Sequence, residues 1–327
     1  MTHYIEMRRT SGAAATTPAE RFERAQDAAF VEAGLDVSSR FVEISEPRLR
    51  VRVNELGAGD PVLFIHGGNS VAASWIPLLA PLAADHRLIV PDRPGCGLTS
   101  PFNYRGIDLR QHGVHFIRSL LDEVSEQRAA IIGNSIGGYF ALAFALAHPE
   151  RVSRLGLIGE PANAEGTPRL FHRLVGTRGV NTLLYKGPLK PAKDAAALRA
   201  GFAKSKLVAD PNRPSEVLCE CLAAGARIPG ATTSWTTMVE RVFVPAGWGL
   251  RAKDTLGTHK LAPELRRLDQ PTLFLWGDKD PLGAPAVGES LAAVMANARL
   301  EVVADAGHLL WLDQPKVCAD ALIEFLS

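Results

Sequence analysis

Short apolar runs recur along this chain, and helical patterns separate most of them. The alternation of Leu49, Val51 and Val53 with polar residues is typical of a half-buried strand. Continuous apolar runs, which are typical of strands covered on both faces, fall at 61–65, 88–90, 129–132, 155–158, 272–276 and 300–303. Helical patterns fall at about 75–84, 108–127, 137–147, 285–296 and 315–326. This alternation predicts an α/β fold, with a mostly parallel central sheet and helices on both faces.

Two regions depart from the alternation. The segment from Thr17 to Glu20 is a capping box with proline at the first helical position, so residues 1–38 are expected to form an N-terminal helical extension. Residues 161–261 contain no convincing strand. Their helical segments lie near 168–185, 191–209, 214–226 and 231–243. We therefore expect a helical cap over the C-terminal edge of a sheet that is built from residues 39–160 and 262–327.

Composition narrows the class of partner. The chain has 327 residues, is 46% hydrophobic and carries a formal net charge of +1, so a large core is expected and charge does not favour nucleic acid or anionic membranes. The sequence predicts neither a membrane span nor a secretory signal. Cysteines stand only at 96, 219, 221 and 318, without zinc-site or disulfide spacing. We expect a cytoplasmic protein with a small-molecule substrate and no metal or cofactor. A homo-oligomer is left open.

Ser135 lies in Gly-Asn-Ser-Ile-Gly-Gly, residues 133–138, between a strand pattern and a helical pattern. A serine among glycines at a strand end can be a simple turn residue. On a strained strand-to-helix turn, however, it is an exposed nucleophile. Side chains at Gly133 and Gly137 would collide in so tight a turn. The helix that begins at Ile136 also directs unpaired backbone N–H groups at the serine, so this setting predicts a nucleophile.

A serine hydroxyl is a poor nucleophile until a base accepts its proton. His308 follows the last predicted strand, so its loop should open at the same sheet edge as Ser135. The base in turn needs a carboxylate that fixes its tautomer. Asp280, after the penultimate strand, is the first candidate, whereas Asp278 reads as a turn residue. Glu160 also follows a strand at this edge and is the rival acid.

Acyl transfer also needs hydrogen-bond donors for the oxyanion. The segment from His66 through Gly67 and Gly68 to Asn69 follows an apolar strand, where a donor loop is expected. The backbone N–H groups of Gly68 and Ile136 would then form the oxyanion hole. His66 would hold the loop in place.

In these motifs the chain resembles the α/β-hydrolase superfamily, as a member with a serine nucleophile and a cap. The chain order Ser135, Asp280, His308 is that of the family, and the resemblance covers about 40–160 and 262–327. It implies that the cap shapes the substrate pocket. Serine at the nucleophile position excludes the members that use aspartate, the epoxide hydrolases and dehalogenases. The matching motifs are His66-Gly-Gly, the turn from Asp92 to Ser100, the segment 133–138, and the loops that hold Asp280 and His308.

The resemblance leaves the substrate open. The leading hypothesis is a serine hydrolase that cleaves a carboxylic ester or lactone of a small, largely apolar molecule. A C–C bond hydrolase acting on a ring-cleavage diketone is the alternative, since such enzymes resemble this chain in the asparagine before the serine but usually carry an aromatic residue where Leu309 stands. A non-enzymatic receptor is a third alternative. The candidate substrate contacts are Asn69, Glu160, Trp235, Trp248 and Trp311. For the tryptophans a role in core packing is left open.

Overall fold

A computed structural model describes residues 17–164, 170–243 and 257–327, and its centre is an eight-stranded sheet. The strands are β1 (Ser38–Ser45), β2 (Arg48–Leu56), β3 (Asp60–Ile65), β4 (His86–Pro91), β5 (Ala129–Asn134), β6 (Val152–Ile158), β7 (Thr272–Gly277) and β8 (Ala298–Val303). They lie in the order β1-β2-β4-β3-β5-β6-β7-β8. β2 runs antiparallel to β1 and β4, and all other pairs are parallel. The predicted α/β fold is confirmed. β1 was not predicted from the sequence.

Helices cover both faces of the sheet. They are α1 (Pro18–Glu32), α2 (Ile76–Leu82), α3 (Leu109–Glu123), α4 (Ile136–Ala147), α5 (Leu170–Gly176), α6 (Val180–Lys186), α7 (Ala195–Ser205), α8 (Glu216–Gly225), α9 (Ala231–Val242), α10 (Ala262–Leu265), α11 (Pro285–Ala292), α12 (Leu310–Asp313) and α13 (Pro315–Leu326). In β3, Leu63 and Ile65 pack into the core with α3 and α4, while Val62 and Phe64 pack into the core with α2 and α13. Strand residues alternate between two apolar layers, which explains why the central strands are continuously apolar.

The N-terminal helix α1 belongs to one of these cores. Its predicted capping box is present, because Thr17 and Glu20 each accept a hydrogen bond from the backbone N–H of the other. Phe22 and Phe30 are buried, and α1 packs against α8. The helix therefore anchors to the strand-free region between β6 and β7. Residues 1–16 of the predicted extension lie outside the described residues.

The region between β6 and β7 is helical wherever the structure describes it. Helices α5 to α9 correspond to the four predicted helical segments, and no strand interrupts them within 161–164, 170–243 and 257–261. The division of the chain into extension, core and cap stays a prediction. None of the helices in the described ranges combines the length and apolar character that a membrane crossing requires.

Candidate active site

Ser135 sits at the junction of β5 and α4 in a backbone conformation that non-glycine residues rarely adopt. Its φ is 53° and its ψ is −120°. The turn is tight because the neighbouring glycines allow close approach. A Cβ at Gly133 would lie 2.6 Å from the Gly137 carbonyl oxygen, and one at Gly137 would lie 2.1 Å from that of Ile65. The predicted requirement for both glycines is confirmed. Such strained positions cluster at functional sites.

The asparagine before the serine braces this turn. Asn134 is buried, and its Nδ2 donates to the carbonyl oxygen of Ile158 at the end of β6, at 2.7 Å. Its Oδ1 faces the neighbouring loop, where a Cβ at Gly67 would lie 2.3 Å away. The Asn134 amide therefore joins three of the segments that surround Ser135.

His308 and Asp280 form a buried pair at the same edge. His308 Nδ1 lies 2.8 Å from Asp280 Oδ2, while His308 Nε2 is buried and has no hydrogen-bond partner among the described residues. Burial lowers the pKa of His308, but the charge of Asp280, its hydrogen bond and the charge of Glu160 outweigh burial and hold that pKa above its ordinary value. His308 Nε2, the ring nitrogen that would accept the proton of a serine hydroxyl, thus has no competing hydrogen bond among the described residues, as a general base requires.

Glu160 approaches this pair through its backbone rather than its side chain. Its N–H donates to Asp280 Oδ2 at 3.0 Å. Its carboxyl group accepts hydrogen bonds from the backbone N–H groups of Asn163, at 3.2 Å, and Ala164. Of the two rival acids, the structure brings Asp280 to the imidazole. Asp278 instead accepts a hydrogen bond from the N–H of Ala306 and holds the next loop, as the turn interpretation predicted.

The loop after β3 is held by a fully buried arginine. Arg93 Nε donates to the carbonyl oxygen of His66 at 2.7 Å, and Nη2 donates to that of Gly67 at 2.6 Å. The Arg93 N–H donates to His66 Nε2 at 2.9 Å, so His66 Nδ1 carries the ring proton, which it donates to the Gly67 carbonyl. Burial and the charge of Arg93 hold the pKa of His66 well below its usual range. His66 is a neutral brace for this loop.

The turn that begins at Asp92 has a structural role. Asp92 accepts hydrogen bonds from the N–H of Ala72 at 2.8 Å and of Leu98 at 3.1 Å. The Thr99 hydroxyl donates to the Asp92 carbonyl oxygen at 2.7 Å. These contacts fix the segment that carries Arg93.

A small cavity of about 60 Å³ opens beside Ser135. Gly68, Ile136, Glu160 and Trp235, four of the predicted site residues, line it together with the serine. A Cβ at Gly68 would lie 2.2 Å from the Trp235 ring, so α9 closes directly over this loop. The other described residues of the lining are Ala162, Asn163, His172, Met238, Val239, Val242, Phe243 and Leu282.

Two predicted substrate contacts lie elsewhere. Trp311 is completely buried, stacks on Trp75 at 4.3 Å and donates from Nε1 to the Ser74 carbonyl oxygen at 2.5 Å. It is not part of the described lining and serves the core, which corrects the expectation of a substrate contact. Asn69 lines a separate, smaller cavity of about 20 Å³. Trp248 lies outside the described residues.

Sequence reasoning did not assign His172 to the site. His172 lines the cavity and stacks on Phe243, with ring centroids 4.8 Å apart. It lies on helix α5 of the strand-free region, whereas Ser135, Asp280 and His308 directly follow strands or strand-end loops of the sheet. Only the apolar, aromatic character of the strand-free region could have suggested that its residues meet Ser135.

The described residues offer no metal site, since no group of three or more His, Cys, Asp or Glu side chains among them could hold an ion. The four cysteines are unpaired. The groups that lie at this edge of the sheet are therefore a strained serine, an oriented imidazole and loop peptides around a small cavity.

Comparison with known proteins identifies the family of the chain. The family model described as the alpha/beta hydrolase fold matches residues 60–315. The chain is 28% identical to a 2-hydroxy-6-oxononadienedioate/2-hydroxy-6-oxononatrienedioate hydrolase of Cupriavidus pinatubonensis, over 91% of this chain and 98% of the relative.

Solved structures agree on the fold. A carboxylesterase from Bacillus subtilis superposes with a TM-score of 0.71 at 20% identity, covering 94% of this chain and 98% of that chain. A meta-cleavage product hydrolase from Pseudomonas fluorescens superposes with a TM-score of 0.67 at 23% identity, covering 88% and 97%.

Proposed function

Since the chain belongs to the alpha/beta hydrolase fold family and is a hydrolase, we propose that it acts through a serine nucleophile, Ser135, on the carbonyl group of a small molecule. One observation carries the proposal. His308 commits Nδ1 to Asp280 at 2.8 Å and keeps Nε2 buried and unpartnered, at the sheet edge where Ser135 is strained. This is the division of labour between the two ring nitrogens that a serine hydrolase needs.

The proposed reaction has two stages. His308 Nε2 accepts the Ser135 hydroxyl proton while Oγ attacks the substrate carbonyl carbon, and the carbonyl electrons move to oxygen. The N–H groups of Gly68 and Ile136, which line the cavity, would stabilise this oxyanion. The C–O bond then breaks, the leaving alcohol oxygen takes the proton from His308, and an acyl-enzyme remains. Water repeats the steps through the same base and releases the acid.

The orientation of one peptide supports the role of Gly68. The Gly67 carbonyl and the Gly68 N–H belong to the same planar, trans peptide unit, so they point in opposite directions. Arg93 holds the carbonyl end at 2.6 Å. The N–H end is thereby directed away from Arg93, which fits a donor on the cavity side of the loop.

A neutral carboxylic ester or lactone is the substrate class that we favour. The described lining is mostly apolar, and its ionisable residues are Glu160 and His172, with no lysine or arginine among them. A substrate carboxylate would find no fixed cation on this part of the wall. A cavity of about 60 Å³ also suits short acyl groups.

We extend the proposal to the strand-free region and to location. Trp235, Met238 and Val239 of α9 line the cavity over Ser135, which supports a cap that spans 161–261 and excludes water from the reaction. The unpaired cysteines support a cytoplasmic location. A lactonase and an esterase would use the same machinery.

A C–C bond hydrolase is the second candidate. The observation that favours it is the full-length similarity to relatives named as hydrolases of oxo-dienedioates and of 2-hydroxymuconate semialdehyde. Leu309 next to the histidine, and the absence of lysine and arginine from the described lining, favour the ester instead.

The test combines covalent labelling with a substrate panel. A fluorophosphonate should label the protein once, at Ser135, and Ser135→Ala should abolish labelling and lower kcat by about 10⁴-fold. Ser290→Ala, which removes an exposed hydroxyl on α11, is the control and should behave as wild type. Labelling that survives Ser135→Ala would overturn the proposal. Kinetics on esters, lactones and vinylogous 1,5-diketones then decides between the two substrate classes.

A further inference from the structure

Glu160 is a buried acid on the wall of the candidate active site. β6 ends at Ile158, Gly159 follows with a φ of 71°, and Glu160 is then only 2% exposed. Its backbone N–H supports Asp280, and the residue lines the same cavity as Ser135. One residue thus contacts the acid partner of His308 and borders the cavity.

No lysine or arginine in the described part of the chain pairs with this carboxyl group. Among the described residues its hydrogen-bond donors are two backbone N–H groups, those of Asn163 and Ala164. The nearby ionisable groups are His308 and Asp280, whose effects on it are opposite in sign. Burial raises the pKa of Glu160 to about 7. Buried charges are normally paired, because leaving them unpaired costs free energy.

Backbone packs closely around the Glu160 side chain. The two N–H groups come from the residues that follow it in the chain, and a Cβ at Gly283 would lie 3.0 Å from Glu160 Cγ. Glu160 is also one of the residues that line the cavity beside Ser135. The carboxyl group is therefore held by backbone at the wall of that cavity.

We propose that Glu160 is a specificity residue that accepts a hydrogen bond from a hydroxyl or ammonium group carried by the substrate near its reacting carbonyl. The inference rests on the proposed function and deepens it, because it names the substrate class of the same cavity. The Glu160 carboxylate can accept further hydrogen bonds in an otherwise apolar wall. It would therefore stabilise a substrate that carries a hydrogen-bond donor and repel a substrate that carries a carboxylate. Leaving such a group without its partner is costly, which is how buried polar groups discriminate between otherwise similar substrates.

Four ethyl esters, whose hydrolysis is followed by acid release, test the proposal: ethyl butyrate, ethyl 3-hydroxybutyrate, ethyl 4-aminobutyrate and monoethyl succinate. Wild-type kcat/KM should be about tenfold or more higher for at least one of the two donor esters than for butyrate, and lowest for the succinate. The hydroxyl and ammonium arms identify which donor the site prefers. If butyrate is cleaved faster than both donor esters, the proposal is wrong, and this result needs no variant.

Glu160→Gln sharpens the test while keeping the shape of the side chain. It should reduce the advantage of the preferred donor ester over butyrate by about tenfold, mainly through KM, and should raise the relative rate on the succinate. Glu123→Gln, which removes an exposed carboxylate at the end of α3, should leave all four rates unchanged.

The outcomes separate this inference from the proposed function. If Glu160→Gln lowers kcat on all four esters by the same factor, the Glu160 side chain acts on His308 through its charge rather than on the substrate, and the specificity role is refuted. If the wild type hydrolyses none of them and a fluorophosphonate does not label Ser135, the serine mechanism itself fails. Labelling at Ser135 together with an unchanged ranking in Glu160→Gln overturns the specificity role alone.

Discussion

Two loops flank Ser135, and each contains a buried charge without an opposite charge in contact among the described residues. On one side the guanidinium of Arg93 is surrounded by the carbonyl oxygens of His66 and Gly67. On the other side the carboxyl group of Glu160 is surrounded by the N–H groups of Asn163 and Ala164. Backbone carbonyl oxygens thus stabilise the buried cation in one loop, and backbone N–H groups stabilise the buried carboxyl group in the other.

The two charges differ in where they stand relative to substrate. Arg93 is fully buried and lies outside the described lining of the larger cavity; Nε and Nη2 fix a loop, and Nη1 lies 3.9 Å from Met238 Sδ on α9. Glu160 is equally buried but borders that cavity. A buried charge that binds loop carbonyl groups fixes geometry, whereas one at a cavity wall can also meet a ligand. Mutations on the two sides should therefore fail in different ways.

The largest effect is expected on the acid side, at Asp280. Asp280→Asn should lower kcat on a neutral ester by about 10⁴-fold while the fold is retained, because the imidazole loses the carboxylate that orients it. Glu160→Gln should cost far less on the same substrate, at most about tenfold. Steady-state kinetics with circular dichroism measures both. A greater loss in Glu160→Gln would make Glu160 the acid partner of His308.

The second largest effect is expected at Arg93, which holds the loop of the proposed oxyanion donor Gly68. Arg93→Lys keeps the charge but loses the fork that binds two carbonyl groups, so the Gly67–Gly68 peptide can rotate. We expect kcat to fall about 10²-fold with KM little changed, since an oxyanion donor acts mainly in the transition state. Arg154→Lys on β6, near the opposite edge of the sheet, is the control. A loss of melting temperature without a loss of kcat would confine Arg93 to stability.

Much of the fold could be predicted because its determinants are local. The capping box at Thr17 and the glycines around Ser135 depend on chain neighbours only, and the structure contains both as expected. β1 was missed because it is an edge strand in which few side chains, Val42 and Ile44 among them, are buried. Its register comes from pairing with β2 rather than from its own pattern.

The site was harder to predict where it depends on tertiary contacts. The loop positions of His308, Asp280 and Glu160 were predictable from strand ends, but only the folded chain separates the acid that contacts the imidazole from the one that lines the cavity. Likewise His172 and Trp311 could not be sorted by sequence. One faces the cavity from a distant helix and the other stacks on Trp75 in the core.

The pH dependence of kcat/KM should show how Asp280 and Glu160 affect the pKa of His308. His308 must be neutral to accept a proton, and its pKa is raised above the ordinary value of about 6.5. On the acid limb of the profile, kcat/KM should therefore fall about tenfold for each pH unit below that raised pKa. Glu160→Gln removes a negative charge that raises this pKa, so the limb should move to lower pH. A limb that moves to higher pH, measured where chemistry limits the rate, would contradict this assignment.

The smallest effect is expected at Trp235, which closes over Gly68 on the oxyanion side. Trp235→Ala enlarges the cavity and should shift the preference from short toward longer acyl esters by about tenfold or less. Trp311→Phe is the matched aromatic control and should lower the melting temperature without changing the ranking of esters. If Trp235→Ala loses stability only, its role is packing.

The strained conformation of Ser135 places catalysis in competition with folding. A non-glycine residue at φ 53° and ψ −120° costs on the order of 1–3 kcal/mol, which the packed strand and helix on either side must supply. Glycine would relax there, so Ser135→Gly should melt higher than the wild type even though it would lack the proposed nucleophile. Selection for abundance alone would therefore favour the loss of this serine. A descendant with glycine at this position would keep the fold and gain heat stability, but it would lose the proposed activity.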